Sequence, residues 1–218
     1  MNLNKLLNKQ KEVLKLCVAS TRAKLRNSGR LYTDFKYPHN NNTTIPSKFI
    51  AMDPWEVEYL FQVSRMCRTG IVEIGRFNGG STLVLALANP DIAITSVDIA
   101  PQDDEKLKNV FAKFSVNNVN LIVGDSQNQK YNVGQYDMLF VDGDHSYQGC
   151  LNDLNNWWDE LAPGGHVICH DCYFFNEVQD AVVDFTRSRD VKWILSPYIP
   201  RSHWFMPHGS LCHFQKPL

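Results

Sequence analysis

The feature that most constrains this chain is a regular alternation of short apolar runs with amphipathic segments, from residue 53 to the C-terminus. The apolar runs have the length of strands, and the segments between them have helical spacing. Strands are predicted at 71–75, 92–97, 119–123, 138–141, 166–169, 191–195 and 211–214, and helices at 53–66, 81–88, 103–114, 147–161 and 176–187. Repeated βα units predict an α/β fold, a doubly wound and mostly parallel seven-stranded sheet with helices on both faces.

Local signals predict where two of these helices end or begin. Pro163-Gly164-Gly165 is predicted to terminate the helix that starts near residue 147, and Asn176 is predicted to cap the next one. The adjacent Trp157 and Trp158 lie on one helix, so at most one of them is expected to face inward.

Residues 1–50 differ from the rest of the chain in net charge and in lacking the alternation of strand-length and helical segments. Residues 1–30 carry eight Lys and Arg and one Glu, or +7, which leaves −8 on the remainder of a chain whose net charge is −1. Apolar residues at helical spacing between 3 and 25 predict an amphipathic helix. The predicted organisation is therefore a basic N-terminal helix and arm at 1–50, followed by one α/β domain at 51–218. The basic helix could be a solvated face, or it could contact nucleic acid, anionic lipid or a second copy of the chain as a homo-oligomer.

Composition argues against several other classes of protein. No apolar run approaches the roughly 20 residues that a membrane span needs, and the first residues lack the compact apolar stretch of a secretory signal. The six cysteines are scattered, which suits reduced thiols in a cytoplasmic protein better than a disulfide framework. Cys169 and Cys172 form a CxxC pair without a second pair at zinc-finger spacing, so a structural zinc site is only weakly indicated.

A glycine-rich loop follows the first predicted strand and opens a helix. Such glycines let the backbone approach a ligand closely, and the free N–H groups of the following helix point at that ligand. Asp98 ends the next strand about 20 positions later, where an acidic residue is placed to accept hydrogen bonds from ribose hydroxyls. Asp125 and Ser126 follow the third strand, where a carboxylate could accept from an adenine amino group. The set predicts a nucleoside-containing ligand.

The loop sequence E-I-G-x-x-x-G-x-S-T resembles the S-adenosylmethionine (SAM) binding loop of class I methyltransferases, not the dinucleotide pattern GxGxxG. The resemblance covers about residues 53–216 and implies a Rossmann-like methyltransferase fold with SAM as methyl donor. It assigns six residues to the methionine end of the donor: Glu73, Gly75, Phe77, Asn78, Gly79 and Ser81. It assigns Asp98 to the ribose, and Asp125 with Ser126 to the adenine.

Acidic and histidine residues follow the fourth and fifth strands, at Asp142-Gly143-Asp144-His145 and at His170-Asp171. In open α/β sheets ligands bind outside the carboxyl ends of the strands, so both clusters are expected beside the methyl donor. Methyl transfer mainly requires positioning, but a hydroxyl acceptor must also lose its proton. A cation held by carboxylates lowers the pKa of that hydroxyl, and a nearby histidine can take the proton.

D-G-D-H followed by P-G-G-x-x-x-x-H-D is similar to the metal-dependent sugar and macrolide (macrocin-type) O-methyltransferases, and more distantly to the catechol O-methyltransferases. The resemblance implies that Asp142 and Asp171 bind a divalent metal such as Mg²⁺ or Mn²⁺. It also implies that His145 is the general base and that Asp142 belongs to the catalytic set.

The chain departs from both families at this site. His170 replaces a residue that is usually acidic in the sugar family, and it is a further candidate ligand that would suit a softer metal such as Mn²⁺ or Fe²⁺. Cys172 stands where the catechol family has an amide. Structural roles are the alternatives: Asp142 could bond backbone amides, Asp144 could cap the next helix or serve as a substitute ligand, and His170 could be a satisfied, half-buried histidine.

The sequence thus predicts a SAM-dependent O-methyltransferase that acts on a small hydroxylated acceptor of sugar or natural-product type. The aromatic run Tyr173–Phe175 and the segment 203–208 could wall the acceptor pocket. One alternative is a nucleic-acid methyltransferase that grips its substrate with the basic arm. The acidic body and the absence of an N-P-P-[YF] motif after the fourth strand argue against it. The other alternative is a non-catalytic protein that binds SAM or serves as an interaction module.

Overall fold

A computed structural model describes residues 49–127, 131–196 and 210–218, together with two short strands, β1 (Phe35–Lys36) and β2 (Thr44–Ile45), which pair antiparallel. The predicted N-terminal helix at 3–25 and the segment 203–208 lie outside these residues. The division into 1–50 and 51–218 stays a prediction.

The alternation of strands and helices expected from the sequence is present. In chain order the elements are α1 (Pro54–Ser64), β3 (Gly70–Ile74), α2 (Gly80–Ala88), β4 (Ala93–Asp98), α3 (Asp104–Phe114), β5 (Val119–Val123), β6 (Tyr136–Val141), α4 (Tyr147–Trp158), β7 (Leu161–Cys169), α5 (Asn176–Arg187), β8 (Lys192–Leu195) and β9 (Cys212–Gln215).

Strands β3 to β9 form one seven-stranded sheet in the order β5-β4-β3-β6-β7-β9-β8. Strands β5, β4, β3, β6 and β7 pair in parallel, and β9 runs antiparallel to both β7 and β8. The predicted doubly wound, mostly parallel sheet is confirmed. The chain leaves β3 toward β4 on one side and returns to β6 on the other, so the strand order reverses there. This is the point where α/β sheets bind their ligands.

Each face of the sheet is covered by its own apolar core, as the near-continuous apolar strands require. On one face α1, α2 and α3 pack on the sheet, with Leu60, Leu83 and Phe111 in the core. On the other face α4 and α5 pack through Leu154 and Phe185. The predicted helices on both faces are therefore confirmed.

Two local predictions were wrong. Pro163–Gly165 does not end a helix but lies inside β7, where the register with β6 shifts. Gly164 has a positive φ of 72°, and its N–H donates to the carbonyls of Lys216 and Pro217, so the irregular segment is held by the C-terminal residues. Helix α5 has Phe175 at its N-cap, and Asn176 is the first helical residue.

The expectation that at most one of Trp157 and Trp158 faces inward was also wrong, since both are buried. Helix α4 contacts both the sheet and α5, so two of its sides face the core. Trp157 packs against Tyr136, and Trp158 packs edge-on against Phe185. Periodicity locates one face of a helix but does not reveal a second neighbour on its flank.

Within the described part of the chain, no helix has the length and apolar character needed to cross a bilayer.

Candidate active site

The glycine loop after β3 requires glycine at two positions. Gly75 has a φ of 80°, and a Cβ there would collide with the backbone carbonyl of Asp142. Gly79 also has a φ of 80°, and a Cβ there would collide with the side chain of Leu107. L-residues avoid this conformation, so both glycines fix the path of the loop. Between them Phe77 adopts a φ of 49°, and its ring is 53% exposed.

Glu73 lies beneath this loop and not in the cleft. Its carboxylate is fully buried and accepts hydrogen bonds of 2.5 Å from the hydroxyls of Ser81, Thr82 and Ser96. Burial raises the pKa of Glu73 to about 7, although the three hydroxyls oppose the shift. Glu73 and Ser81, both predicted at the methionine end of the donor, thus bond each other and hold the start of α2 against β3.

Asp98 has the strand-end position that the sequence predicts, and it also holds the loop. One carboxylate oxygen accepts from the backbone N–H groups of Arg76 (2.8 Å) and Phe77 (3.0 Å), and the other accepts from Ala100 (2.8 Å). A carboxylate offers about four acceptor sites, so one remains for a ribose hydroxyl. The next residue, Ile99, is 69% exposed and presents an apolar surface beside that carboxylate.

Arg76 is a structural residue of the loop that the sequence analysis missed. Its buried guanidinium donates to both carboxylate oxygens of Asp104, at 2.9 and 2.6 Å. It also donates to the carbonyls of Ser96 (3.1 Å) and Ile122 (2.9 Å), and so joins the ends of β4 and β5. No spacing rule connects positions 76 and 104, so the pair could not have been found from the sequence.

The residues predicted to bind adenine occupy the turn after β5. Asp125 accepts from the backbone N–H of Gln127 at 2.9 Å, and the Ser126 hydroxyl donates to Asp153 at 2.6 Å. Asp153, also missed, is buried on α4, and burial raises its pKa to about 7. Its second oxygen has no hydrogen-bond partner among the described residues. Ser126 is therefore positioned by a buried carboxyl group.

The acceptor side brings together the three predicted metal ligands. One ligand atom each from Asp142, His170 and Asp171 lies within 4.8 Å of the others. Nδ1 of His170 is 3.2 Å from Asp142 Oδ1 and 3.3 Å from Asp171 Oδ2. Nδ1 is buried and has no hydrogen-bond partner within the described ranges. A buried nitrogen facing two carboxylates fits a divalent cation.

The opposite side of the His170 ring contacts a residue outside the predicted set. Nε2 lies 3.0 Å from Oε2 of Glu56, which is buried on α1. Burial alone would lower the pKa of His170, but Asp142, Asp171 and Glu56 outweigh it and hold this pKa well above its ordinary value. Burial would likewise raise the pKa of Glu56, but His170 and Ser210 lower it. These pairings keep the carboxylate ionised inside the protein.

Asp171 reaches the cluster through an unusual backbone conformation. It has a φ of 59°, in the left-handed region, and its carbonyl accepts from the N–H groups of Phe174 (3.1 Å) and Phe175 (3.0 Å). Strained residues of this kind persist where the surroundings hold them, often at functional sites. The backbone N–H of Asp171 donates to the hydroxyl of Ser210 at 3.1 Å.

His145, the predicted base, lies at the rim of the same cluster. Its Nε2 is 3.3 Å from Asp171 Oδ2 and 3.7 Å from Asp142 Oδ1. The contact with Asp142 raises its pKa above the ordinary value, despite partial burial. The ring stacks on Phe175 at 4.4 Å between centroids, and Phe174 beside it is 70% exposed. An exposed apolar ring therefore stands next to the ionisable cluster.

Asp144, the substitute ligand, does not belong to this cluster. Its carboxylate accepts from the backbone of Ser146 at 2.9 Å and from the side chain of Gln127 at 3.4 Å. It therefore holds the turn before α4, whose N-cap is Ser146. The sulfur of Cys172 likewise contacts that of Cys212 at 3.1 Å inside the core.

Residues 72–172 match the family model of a methyltransferase domain. An uncharacterized protein of Acanthamoeba polyphaga mimivirus is 33% identical over 114 residues, 46% of this chain and 50% of that protein. The match thus spans about half the length of the curated relative.

Three solved structures share the fold at low identity. The O-methyltransferase NovP is 15% identical with a TM-score of 0.64, over 96% of this chain and 100% of that one. An rRNA methylase from Streptococcus thermophilus is 17% identical with a TM-score of 0.59, over 75% and 97%. The O-methyltransferase TomG from Streptomyces achromogenes, solved with SAM, is 16% identical with a TM-score of 0.58, over 78% and 82%. Residues 72–172 are thus similar to a methyltransferase domain, and the chain has the seven-stranded, Rossmann-like fold of these methyltransferase structures.

Proposed function

We propose that this chain transfers the methyl group of SAM to a hydroxyl of a small acceptor, with the help of a divalent cation. One observation carries the proposal: the cluster of Asp142, His170, Asp171 and His145 directly adjoins the donor loop. The backbone N–H of Asp142 bonds the carbonyl of Ile74 at 2.8 Å, so no gap separates the two halves of the site.

The donor half supports SAM as the methyl source. The loop at Gly75–Gly79 opens onto the N-terminus of α2, and Asp98 retains acceptor capacity beside the exposed Ile99. A ribose hydroxyl can donate to Asp98 while an apolar side chain covers one face of the purine. The fold similarity to TomG, which was solved with SAM, agrees with this assignment.

The acceptor half supports a metal held by Asp142, His170 and Asp171. The donor set of two carboxylates and one imidazole is common for divalent ions. Nδ1 of His170 is buried, lies close to both carboxylates and makes no hydrogen bond to any described residue, which fits a ligand of a shared cation. When bound, the cation would lower the pKa of the acceptor hydroxyl.

The protein itself positions the two substrates and removes the proton of the acceptor hydroxyl. The donor loop holds SAM so that its methyl group faces the cluster, and the acceptor oxygen approaches in line with the bond from sulfur to methyl. His145 Nε2 receives the hydroxyl proton as the oxygen–methyl bond forms and the neutral thioether leaves. The ring of Phe175, which stacks on His145, covers one face of this base.

Removal of metal tests the proposal directly. Chelator should abolish methyl transfer to a hydroxylated acceptor, and Mn²⁺ or Mg²⁺ should restore it. SAM affinity, measured by calorimetry in the same buffer, should be unchanged because the donor loop holds none of the proposed ligands. Full turnover in excess chelator would defeat the metal mechanism and leave His145 as the sole proposed base.

Methylation of nucleic acid is the second candidate, favoured by the fold similarity to an rRNA methylase and by the +7 charge of residues 1–30. Binding of an oligonucleotide should then weaken steeply as salt is raised, since phosphate contacts release counterions. Deleting residues 1–30 should remove that binding. Salt-independent or absent binding would favour the small acceptor, whereas SAM binding without turnover on any hydroxylated compound would indicate a non-catalytic role.

A further inference from the structure

We infer that Glu56 is a positioning residue that makes His170 a metal ligand through Nδ1, and that the site therefore prefers Mn²⁺ or a similar first-row transition ion to Mg²⁺. The inference rests on the metal site proposed above. Glu56 lies on α1, outside the segment that matches the methyltransferase family model.

The carboxylate of Glu56 is buried and surrounded by donors. Oε2 accepts from the backbone N–H of Asp53 at 2.8 Å and lies 3.0 Å from Nε2 of His170. Oε1 accepts from the backbone N–H of Ser210 at 2.6 Å and from its hydroxyl at 2.7 Å. Only a group that accepts on both oxygens satisfies this arrangement.

This environment determines which nitrogen of His170 can bind a cation. An ionised carboxylate only accepts, so the contact with Glu56 requires a hydrogen on Nε2. A cation would therefore displace the proton from Nδ1 and not from Nε2, because Nδ1 is the nitrogen that faces Asp142 and Asp171 at 3.2 and 3.3 Å. Metal-bound histidines commonly donate their other N–H to a carboxylate, which orients the ring and strengthens it as a ligand.

Ser210 extends the same support to a second ligand. Its hydroxyl, bonded to Glu56, accepts from the backbone N–H of Asp171 at 3.1 Å and lies 3.3 Å from Asp171 Oδ1. One buried carboxylate on α1 therefore positions both His170 and Asp171. This arrangement joins α1, the end of β7 and the residues before β9.

The choice of metal follows from the imidazole. Mg²⁺ prefers an octahedron of oxygen ligands and usually retains several waters, so a nitrogen ligand offers it little. Mn²⁺, Fe²⁺ and Co²⁺ accept imidazole together with carboxylates, with affinity rising along that series. A His170 ring locked by Glu56 therefore favours such ions over Mg²⁺.

Glu56→Gln tests the positioning role with little change of shape. The glutamine amide must face one of two backbone donors, Asp53 or Ser210, so it cannot reproduce all four contacts. When the amide faces His170, it turns Nε2 into an acceptor and moves the proton to Nδ1. Glu58→Gln is the matched control, because Glu58 lies on the same helix and bonds Gln62 instead.

The experiment measures Mn²⁺ binding to the full chain from the paramagnetic resonance signal of the free ion, with Mg²⁺ as competitor and SAM affinity as reference. We expect Glu56→Gln to weaken Mn²⁺ binding by ~10–100-fold, the usual loss when a partner of a metal-bound histidine is removed. The preference for Mn²⁺ over Mg²⁺ should shrink with it. SAM affinity should stay unchanged, and Glu58→Gln should behave as the parent chain.

Two further variants keep the test decisive if Glu56→Gln does not fold. Ser210→Ala retains the backbone donor to Glu56 and should weaken Mn²⁺ binding by a smaller factor. His170→Asp supplies an oxygen ligand and should reduce the preference for Mn²⁺ over Mg²⁺.

The outcomes separate this inference from the proposed function. If the parent chain binds SAM but not Mn²⁺, the metal-assisted mechanism fails and this inference fails with it. If the parent chain binds Mn²⁺ and neither the Glu56 nor the Ser210 variant changes the affinity, only the positioning role is overturned. A parent chain that binds Mg²⁺ as tightly as Mn²⁺ would overturn the metal preference.

Discussion

The donor side and the acceptor side of the candidate site differ in how fully their polar side chains are hydrogen-bonded within the protein. On the donor side the carboxylates of Glu73 and Asp98 each accept three hydrogen bonds from other groups of the protein. On the acceptor side Nδ1 of His170 and Nε2 of His145 are buried atoms with no hydrogen-bond partner in the described ranges. The donor side therefore offers a ligand a backbone of fixed shape, whereas the acceptor side offers side-chain nitrogens that make no hydrogen bond to the described residues.

This difference determines what a substitution on each side should do. A donor-side side chain acts through the loop that it holds, so its loss changes stability and SAM binding together. On the acceptor side His145 can be removed with little effect on the fold, since its side chain is 37% exposed and its Nε2 has no hydrogen-bond partner among the described residues, and its loss should appear in the rate.

The largest effect is expected at His145. His145→Ala should lower the rate of methyl transfer by ~10²–10⁴-fold, the usual range for a positioned base, with SAM affinity unchanged. Added imidazole should restore part of the rate by binding beside Phe175, on which the His145 ring now stacks. Single-turnover kinetics at saturating SAM provide the measurement. A loss of SAM affinity equal to the loss of rate would erase the contrast between the two sides.

Gly75 is where the two sides meet, so its substitution should damage both. Gly75→Ala imposes a positive φ on a side chain and drives Cβ into the carbonyl of Asp142. We expect a destabilisation of ~2–5 kcal/mol, combining the left-handed penalty with overpacking. Gly134→Ala is the matched control, because Gly134 has a φ of 74° but nothing within 4 Å of an added Cβ. Denaturant unfolding should show only about 1–2 kcal/mol for this control.

Most of the fold could be predicted from the sequence because the relevant signals are local. Strand-length apolar runs and helical spacing depend on neighbouring residues, and they gave the element order and the parallel sheet. The prediction of a helix end at Pro163–Gly165 was wrong because proline and glycine occur both at helix ends and at irregularities within strands. The choice depended on the C-terminal residues that bond Gly164, which lie far away in the chain.

Only those residues of the site that belong to a recognisable sequence motif could be predicted. Asp142, His170 and Asp171 were expected together because they end adjacent strands, and the structure brings them together. Glu56 follows Asp53 by three residues, a spacing that indicates only the start of a helix, and Glu56 does bond the backbone of Asp53. Its second partner, His170, lies 114 positions away, a separation that no local pattern encodes.

A smaller effect is expected in the pH dependence of stability, and its sign differs between the carboxyl groups of Glu73 and Asp142. Burial raises the pKa of Glu73 to about 7, so the folded state binds this proton more tightly than the unfolded state, whose carboxyl has a pKa of 4.5. The stability from Glu73 is thus complete at low pH and is lost as pH rises through 7. On the acceptor side burial would raise the pKa of Asp142, but His170 and His145 lower it, so its contribution is lost as pH falls.

The variant Glu73→Gln isolates the contribution of Glu73 to the pH dependence of stability. Gln mimics the protonated carboxyl, so relative to this variant the parent chain should lose about 3 kcal/mol of unfolding free energy between pH 5 and pH 8. Denaturant unfolding of both chains at both pH values measures the difference. A constant difference between parent and Glu73→Gln would mean that Glu73 stays ionised throughout, held by its three hydroxyl donors.

The smallest effect concerns Asp98, which both holds the donor loop and keeps one acceptor site for the ligand. Asp98→Ala removes three contacts to backbone N–H groups and the proposed contact to ribose, and should weaken SAM binding by ~1–3 kcal/mol. That loss alone does not tell a ribose contact from a displaced loop. A comparison of SAM with its 2′-deoxy analogue on both chains separates them, as in a double-mutant cycle. If Asp98 bonds the ribose, the parent should prefer SAM and the variant should bind both ligands alike. If Asp98 acts only through the loop, both affinities should fall by the same factor, and Asp98 would then join Glu73 as a support of the donor loop.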